Sequence, residues 1–198
     1  MVTYQRKDSY YHKAKLAGYR SRAAYKLIEL QKRFKLIKKG MQVVDLGCAP
    51  GGWLQVAAKY VGSSGCLVGV DRLAVPALDF QQVKILQGDV SDAATIAELQ
   101  ASLTRPADLL LSDMAPDTSG VGFADHARSL ELVEIVIDLA SQILKPSGGM
   151  VAKAFDGPDL NELIMRLKDS FEEVKRLKLK STRKGSRELY LIARRHKA

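Results

Sequence analysis

The sequence predicts an α/β fold in which a mainly parallel sheet is covered on both faces by helices. Three observations predict it. Short apolar runs such as 41–47 (MQVVDLG), 65–71 (GCLVGVD) and 107–114 (ADLLLSDM) lack the polar alternation of a half-exposed strand, so both of their faces meet apolar neighbours. Segments of helical periodicity lie between these runs, the order of a doubly wound sheet. Finally, Asp45, Asp71, Asp89, Asp113 and Lys153 each fall at or near the end of an apolar run. They would gather at the carboxyl edge of the sheet, where such folds bind ligands.

Taken in order, Ser21 is placed to cap a helix over 22–34 (RAAYKLIELQKRF), with Ala24, Leu27 and Ile28 along one side, and Lys38-Lys39-Gly40 ends the segment. The strand over 41–47 leads into a helix over 51–61. Strands over 65–71 and 83–89 follow, and then a helix over 91–103 with Ser91 as its cap. The fourth strand, 107–114, precedes an amphipathic helix over 128–144, stopped by Lys145-Pro146-Ser147-Gly148-Gly149. A fifth strand over 149–155 is followed by a helix opened by Pro158 and Asp159. Two runs, 171–180 and 186–195, joined by the turn-like 181–185 (STRKG), make a final strand pair.

With 198 residues, 46% of them hydrophobic, and no repeat or linker, one domain over 1–198 is expected: a basic N-terminal extension and helix over 1–40, then the sheet over 41–198. No apolar run reaches the roughly 18 residues of a membrane span, and the polar, basic N-terminus is unlike a secretory signal. A cytoplasmic location is expected. Cys48 and Cys66 form no C-x-x-C pair and His12, His126 and His196 are scattered, so neither zinc nor any other metal is expected. The net charge of +9 is unevenly placed. Residues 1–40 carry 12 Lys/Arg against 2 Asp/Glu, residues 165–198 carry 12 against 4, and residues 41–164 carry 7 against 16. An acidic centre between basic ends suggests contact with nucleic acid.

The sharpest motif is Asp45-Leu46-Gly47-Cys48-Ala49-Pro50-Gly51-Gly52-Trp53, between the first strand and its helix. Glycines there admit positive φ and close approach of a ligand. Asp71, at the end of the second strand, is placed to accept bonds from a ribose diol. The spacing is not G-x-G-x-x-G, and Pro50 removes an amide that a pyrophosphate would use, which argues against NAD. No G-K-[ST] loop is present, which argues against ATP hydrolysis.

Together with S-R-A-A-Y-K-L (21–27), L-Q-G-D (86–89), S-D-M-A-P (112–116), V-A-K-A-F (151–155) and S-R-E-L-Y-L (186–191), this motif resembles the FtsJ/RrmJ family of ribosomal RNA ribose 2′-O-methyltransferases, from about Tyr19 to about Arg194. The resemblance implies a Rossmann-like, seven-stranded methyltransferase sheet with an antiparallel last strand. It implies S-adenosyl-L-methionine as cofactor, held by Gly51, Trp53, Asp71, Asp89 and Asp113, with Asp71 on the ribose hydroxyls and Asp89 on the adenine amino group. It also implies a catalytic tetrad of Lys26, Asp113, Lys153 and Glu188. The target it points to is a uridine in the A loop of 23S ribosomal RNA, within the assembled large subunit.

A lysine inside the apolar run M-V-A-K-A-F is unusual enough to mark a site by itself. Lys153 is the candidate proton acceptor, neutral when it acts, with Lys26 as the neighbouring cation and Asp113 and Glu188 orienting the lysines. Which lysine ends with the proton stays open. If Lys26 and Glu188 both reach the centre, the two basic ends converge into a rim for RNA phosphates. Tyr10, Tyr11, Tyr19 and Tyr25 would then stack on bases or pack on the core. Charge reversal at Arg20, Arg22 or Lys32 would weaken RNA binding without harming cofactor affinity. The alternatives are 2′-O-methylation of tRNA and a ribosome-assembly factor whose binding matters more than its methylation. A small-molecule methyltransferase fits poorly with the basic ends. A monomer is expected.

Overall fold

A computed structural model describes residues 8–117, 122–183 and 185–197. Residues 1–7 of the predicted basic extension and Lys184 of the predicted turn lie outside the described residues. The apolar runs fall on strands β1 (Gln42–Leu46), β2 (Cys66–Asp71), β3 (Val83–Gln87), β4 (Ala107–Ser112), β5 (Leu144–Phe155), β6 (Phe171–Leu177) and β7 (Glu188–His196). They form one seven-stranded sheet in the order β3-β2-β1-β4-β5-β7-β6. The first five strands pair in parallel, and β7 runs antiparallel between β5 and β6. The mixed sheet with its antiparallel last strand is the predicted one.

The absence of alternation in the strands has the expected cause. Val43 and Val44, or Leu109 and Leu110, are all fully buried although successive side chains point to opposite faces. One face packs under α2 (Ala24–Phe34) and α3 (Gly52–Val61), where Leu27, Leu30, Trp53 and Leu54 meet Val43, Leu67, Leu111 and Tyr190. The other face packs under α4 (Ala93–Ala101), α5 (Gly122–Ile143) and α6 (Leu160–Ser170). There Leu99, Val133, Val136 and Leu163 meet Val44, Val68, Leu110 and Ala152.

Several local expectations are corrected. Ser21 does not cap α2, which starts at Ala24 after Ala23 with no side-chain cap. Its hydroxyl instead occupies the space where a side chain on Gly52 would begin, so it serves helix–helix packing. Ser91 does not cap α4 either, because Asp92 holds the N-cap position. The Ser91 hydroxyl donates to Asp89 Oδ1 at 2.7 Å. Helix α5 is already formed at Gly122, more than a turn before the predicted start, and it buries Asp125, His126 and Ser129 ahead of its apolar stripe. An unpredicted helix α1 (Ser9–Leu16) is capped by the Asp8 carboxylate, which accepts from the Tyr11 amide at 3.0 Å. It buries only Ala14 and so offers no apolar stripe to read.

The amino edge of the sheet is tied by a carboxylate. Buried Asp108 accepts from the Gln42 amide at 2.7 Å, Arg105 Nη2 at 2.6 Å and Lys145 Nζ at 2.6 Å. The carboxyl edge is left to carry the polar groups described next.

Candidate active site

A cavity of about 990 Å³ opens at the carboxyl ends of β1, β2 and β4, lined by residues that include Gly47, Ala49, Asp71, Asp89, Asp113 and Met114. Gly47 has φ 71°, and a Cβ on it would come within 2.5 Å of Met114 Cγ, so only glycine keeps this wall open. Asp71 shapes the cavity from inside. Its Oδ2 accepts from the Ala49 amide and its Oδ1 from the Leu73 amide, both at 2.8 Å. Each oxygen retains a second lone pair for a ligand hydroxyl. Asp89 Oδ1 takes the Ser91 amide and hydroxyl, while Oδ2 meets only Arg72, at 3.9 Å. The bonds to Ser91 hold the Asp89 carboxyl below the usual carboxylate range.

The other two predicted cofactor residues stand outside the lining. Gly51 has φ 103° and turns the chain into α3, its amide donating to the Cys48 carbonyl at 2.6 Å. The Trp53 side chain is buried, donates from Nε1 to the Ala23 carbonyl at 2.8 Å and packs beside Tyr190. It braces the start of α2 rather than facing the cavity.

Asp113 joins the cavity to a second group of side chains. Lys153 Nζ lies 3.2 Å from Asp113 Oδ1 and donates to the Asp113 backbone carbonyl. Lys26 Nζ lies 3.4 Å from the same Oδ1 and 2.8 Å from Glu188 Oε2. The structure thus brings together Lys26, Asp113, Lys153 and Glu188, from α2, the end of β4, β5 and β7. Two connections account for this. In the β5–β7 ladder Phe155 pairs with Glu188 and Lys153 with Tyr190. The turn before β7 is stitched to α2: Glu29 accepts from the Lys180 and Ser181 amides and the Ser181 hydroxyl, and Arg22 donates to the Ser181 carbonyl.

Sequence reasoning missed Tyr190. Its hydroxyl donates to Asp113 Oδ1 at 2.6 Å, and its ring lies 5.6 Å under the Lys26 ammonium. The available signal was register, since Tyr190 stands across the ladder from Lys153. Asp45 is the other surprise. Both of its oxygens are buried without a hydrogen-bond partner, and burial, with Asp113 and Asp71 nearby, pushes its carboxyl well above the usual range.

The two lysines are driven apart. Burial pulls both towards the neutral form. At Lys26 the charges of Asp113 and Glu188 outweigh burial, and its pKa is raised above the ordinary lysine value. At Lys153 burial, with the Lys26 charge acting in the same direction, prevails over Asp113 and Glu188, and its pKa is lowered. Asp113 is itself held below the carboxylate range, because Lys153 and Lys26 overcome the effect of its burial. The arrangement is a lysine whose charged form is favoured beside one whose charged form is disfavoured, over a shared carboxylate.

Two residues of the predicted phosphate-binding rim are engaged within the protein itself. Arg20 donates to the carbonyls of Pro50 (3.3 Å), Pro76 (2.6 Å) and Ala77 (2.6 Å). Arg22 pairs with Asp8 at 2.9 Å and with the Ser181 carbonyl. Arg20 thus binds backbone carbonyls and Arg22 a carbonyl and a carboxylate of the same chain, and Lys32 is exposed. Tyr10, Tyr25 and Tyr19 pack on one another, with centroids 5.6 and 6.0 Å apart. Tyr11 is exposed beside His12.

Residues 19–196 match the FtsJ-like methyltransferase family. A Syntrophobacter fumaroxidans protein named ribosomal RNA large subunit methyltransferase E is 46% identical over 197 residues, covering 98% of each chain. A Methanothermobacter thermautotrophicus protein of the same name is 42% identical over 190 residues, covering 96% of this chain and 90% of its own. A Plasmodium falciparum crystal structure, described as that of a ribosomal RNA methyltransferase, superposes with a TM-score of 0.80. It is 30% identical and covers 90% of this chain and 98% of its own.

Proposed function

The chain belongs to the FtsJ-like methyltransferase family, and from that premise we propose that it transfers the methyl group of S-adenosylmethionine to a ribose 2′-hydroxyl of large-subunit ribosomal RNA. The target proposed is a uridine of the A loop in the assembled subunit. The observation that carries the reading is the position of Asp113, which lines the cavity and holds both lysines beside it.

The cavity fits the cofactor. S-adenosylmethionine bears a sulfonium and an ammonium, and the walls present the carboxylates of Asp71, Asp89 and Asp113. The free lone pairs of Asp71 suit the ribose diol, the open Oδ2 of Asp89 suits the adenine amino group, and Asp113 belongs to the methionine end. Gly51 and Trp53 contribute by shaping the turn and bracing α2. Bound there, the cofactor supplies a methyl group already activated on sulfur.

The residues must then align the ribose oxygen and accept its proton. A neutral lysine amine has two N–H bonds and one lone pair. At Lys153 the two N–H bonds face the Asp113 carbonyl and carboxylate, and the lone pair is left for the 2′-hydroxyl proton. Lys26, kept charged by Asp113 and Glu188, disfavours the ammonium form of Lys153 and draws the negative charge developing on the ribose oxygen towards it. Holding both reactants in line is worth roughly 7–11 kcal/mol, and the proton acceptor adds to that. Labelled methyl transfer to large ribosomal subunits lacking the modification, followed by 2′-O-methyl-sensitive sequencing, tests the reading. One labelled A-loop ribose is expected. Label on tRNA instead, or on a base, would overturn the substrate or the chemistry respectively.

A further inference from the structure

We infer that Arg20 is a positioning residue of the cofactor cavity, and that through it the basic N-terminal segment is coupled to cofactor binding. The inference rests on the proposed cofactor. Gly47 and Ala49 of the turn 47–51 line the ribose side of the cavity together with Arg72 and Leu73, which open the stretch 72–78 that follows β2. Asp71 clips them together from inside, with one carboxylate oxygen on the Ala49 amide and the other on the Leu73 amide. Arg20 clips the same two segments from outside, with Nη1 on the Pro50 and Pro76 carbonyls and Nη2 on the Ala77 carbonyl.

The geometry makes this clip specific to arginine. Its planar fork reaches two successive carbonyls of one segment while Nη1 is shared with the other, which an ammonium on a flexible stem does not reproduce. The surroundings are shaped to it. A Cβ on Gly51 would sit 3.2 Å from Arg20 Nη1 and 3.6 Å from Leu78 Cδ1, so the turn leaves room for the guanidinium and for the loop beneath it. The backbone of Arg20 is held in turn. Its amide donates to Gln55 Oε1 at 2.8 Å, and Gln55 Nε2 donates to the Gly18 carbonyl at 3.0 Å, so α3 fixes the point from which the side chain reaches out.

Pro76 and Ala77 are exposed, and the stretch they belong to has little apolar burial of its own. Without the outer clip, its near end would still be held by the Leu73 amide on Asp71 and by the Gln87 side chain on the Arg72 carbonyl, but its far end only by the partly buried Val75 and Leu78 among the described residues. Arg20 also stands six residues before Lys26 on the same segment. An RNA that steadies this segment therefore favours the closed cavity, and by linkage a bound cofactor favours RNA to the same extent. This role is opposite to the one its charge suggests, because a phosphate ligand would act on RNA affinity alone.

The test is titration calorimetry of S-adenosylmethionine and S-adenosylhomocysteine on the full chain, wild type against Arg20→Gln, Arg20→Lys and Gln55→Ala. RNA affinity without cofactor, and the Tm of the ligand-free proteins, are measured alongside. Arg20→Gln is expected to weaken both cofactor ligands about tenfold, a loss of the size of one charge-assisted bond. Arg20→Lys should recover only part of it, and Gln55→Ala should lose less. Amide exchange is expected to quicken in 72–78 while the strands stay protected. Unchanged cofactor affinity, or a loss confined to RNA binding, would overturn the inference. So would a fall in Tm with exchange quickened throughout. Failure of the wild type to bind either ligand would instead count against the proposed cofactor.

Discussion

At the scale of single residues, the site depends on how one buried carboxylate is shared. Asp113 is close to both lysines, yet Lys26 has Glu188 as well, and Lys153 has the Lys26 charge against it. This imbalance, added to the burial of both amines, shifts their pKa values in opposite directions. If Lys153 is the base, kcat rises with pH through a pKa below that of free lysine and then levels off. Lys26→Met removes the cation that lowers the Lys153 pKa and frees Asp113 and Glu188 to raise it. Both effects act in one direction, so the pH profile should move to higher pH, and a profile that stayed in place would show that Lys26 does not act through Lys153. Lys153→Met should cut methyl transfer by roughly 10²–10⁴-fold, the usual worth of a positioned proton acceptor, with cofactor affinity little changed in calorimetry. Asp45 gives a separate test of stability. Its carboxyl is raised in the fold, so the folded state binds the extra proton, and stability falls as pH rises above the ordinary aspartate range. Asp45→Asn should remove that fall, and parallel melting curves from pH 5 to 8 would contradict it.

At the scale of elements, the sheet divides its labour between its edges. Asp108 fastens β1, β4 and β5 at the amino edge, while Asp71, Asp89, Asp113 and Lys153 face the carboxyl edge. Asp108→Ala leaves the buried Gln42 amide without its acceptor. It should cost roughly 1–3 kcal/mol of stability, read as a lower Tm, with methyl transfer at permissive temperature unchanged. The strands were legible because full burial writes itself as unbroken apolar runs. Lys153 was legible for the same reason, as a lysine well inside such a run. Helix α1 was not, because its contacts come from single residues rather than a stripe. Tyr190 was hidden because a tyrosine in an apolar strand reads as core, and only the ladder register shows its hydroxyl reaching Asp113. The cap assigned to Ser21 failed because its hydroxyl packs against Gly52 of α3, and that assigned to Ser91 because its hydroxyl turns back to Asp89 two residues earlier.

At the scale of the whole molecule, the charge asymmetry has two uses that the sequence alone cannot separate. Some of the basic residues hold the molecule together: Arg20, Arg22 and Arg183 bind carbonyls and carboxylates of their own chain. The exposed Lys32, Lys35, Lys38 and Lys39 remain available to phosphate. RNA affinity should fall linearly with the logarithm of salt concentration, and neutralising one phosphate-binding lysine should lower that slope by about one. Lys32→Ala is expected to lower the slope and leave cofactor binding intact, whereas Arg20→Gln should leave the slope unchanged. The reverse pattern would place the RNA path elsewhere. Among the described residues no helix is long and apolar enough to cross a membrane.

The most direct test of the account is single-turnover methyl transfer to methyl-deficient large subunits across pH, for wild type, Lys26→Met and Lys153→Met at saturating cofactor. The expected result is a wild-type rate that climbs and plateaus below the pKa of free lysine, a Lys26→Met curve moved to higher pH, and a Lys153→Met rate that is low and flat. A Lys153→Met enzyme that kept both its rate and its pH dependence would contradict it.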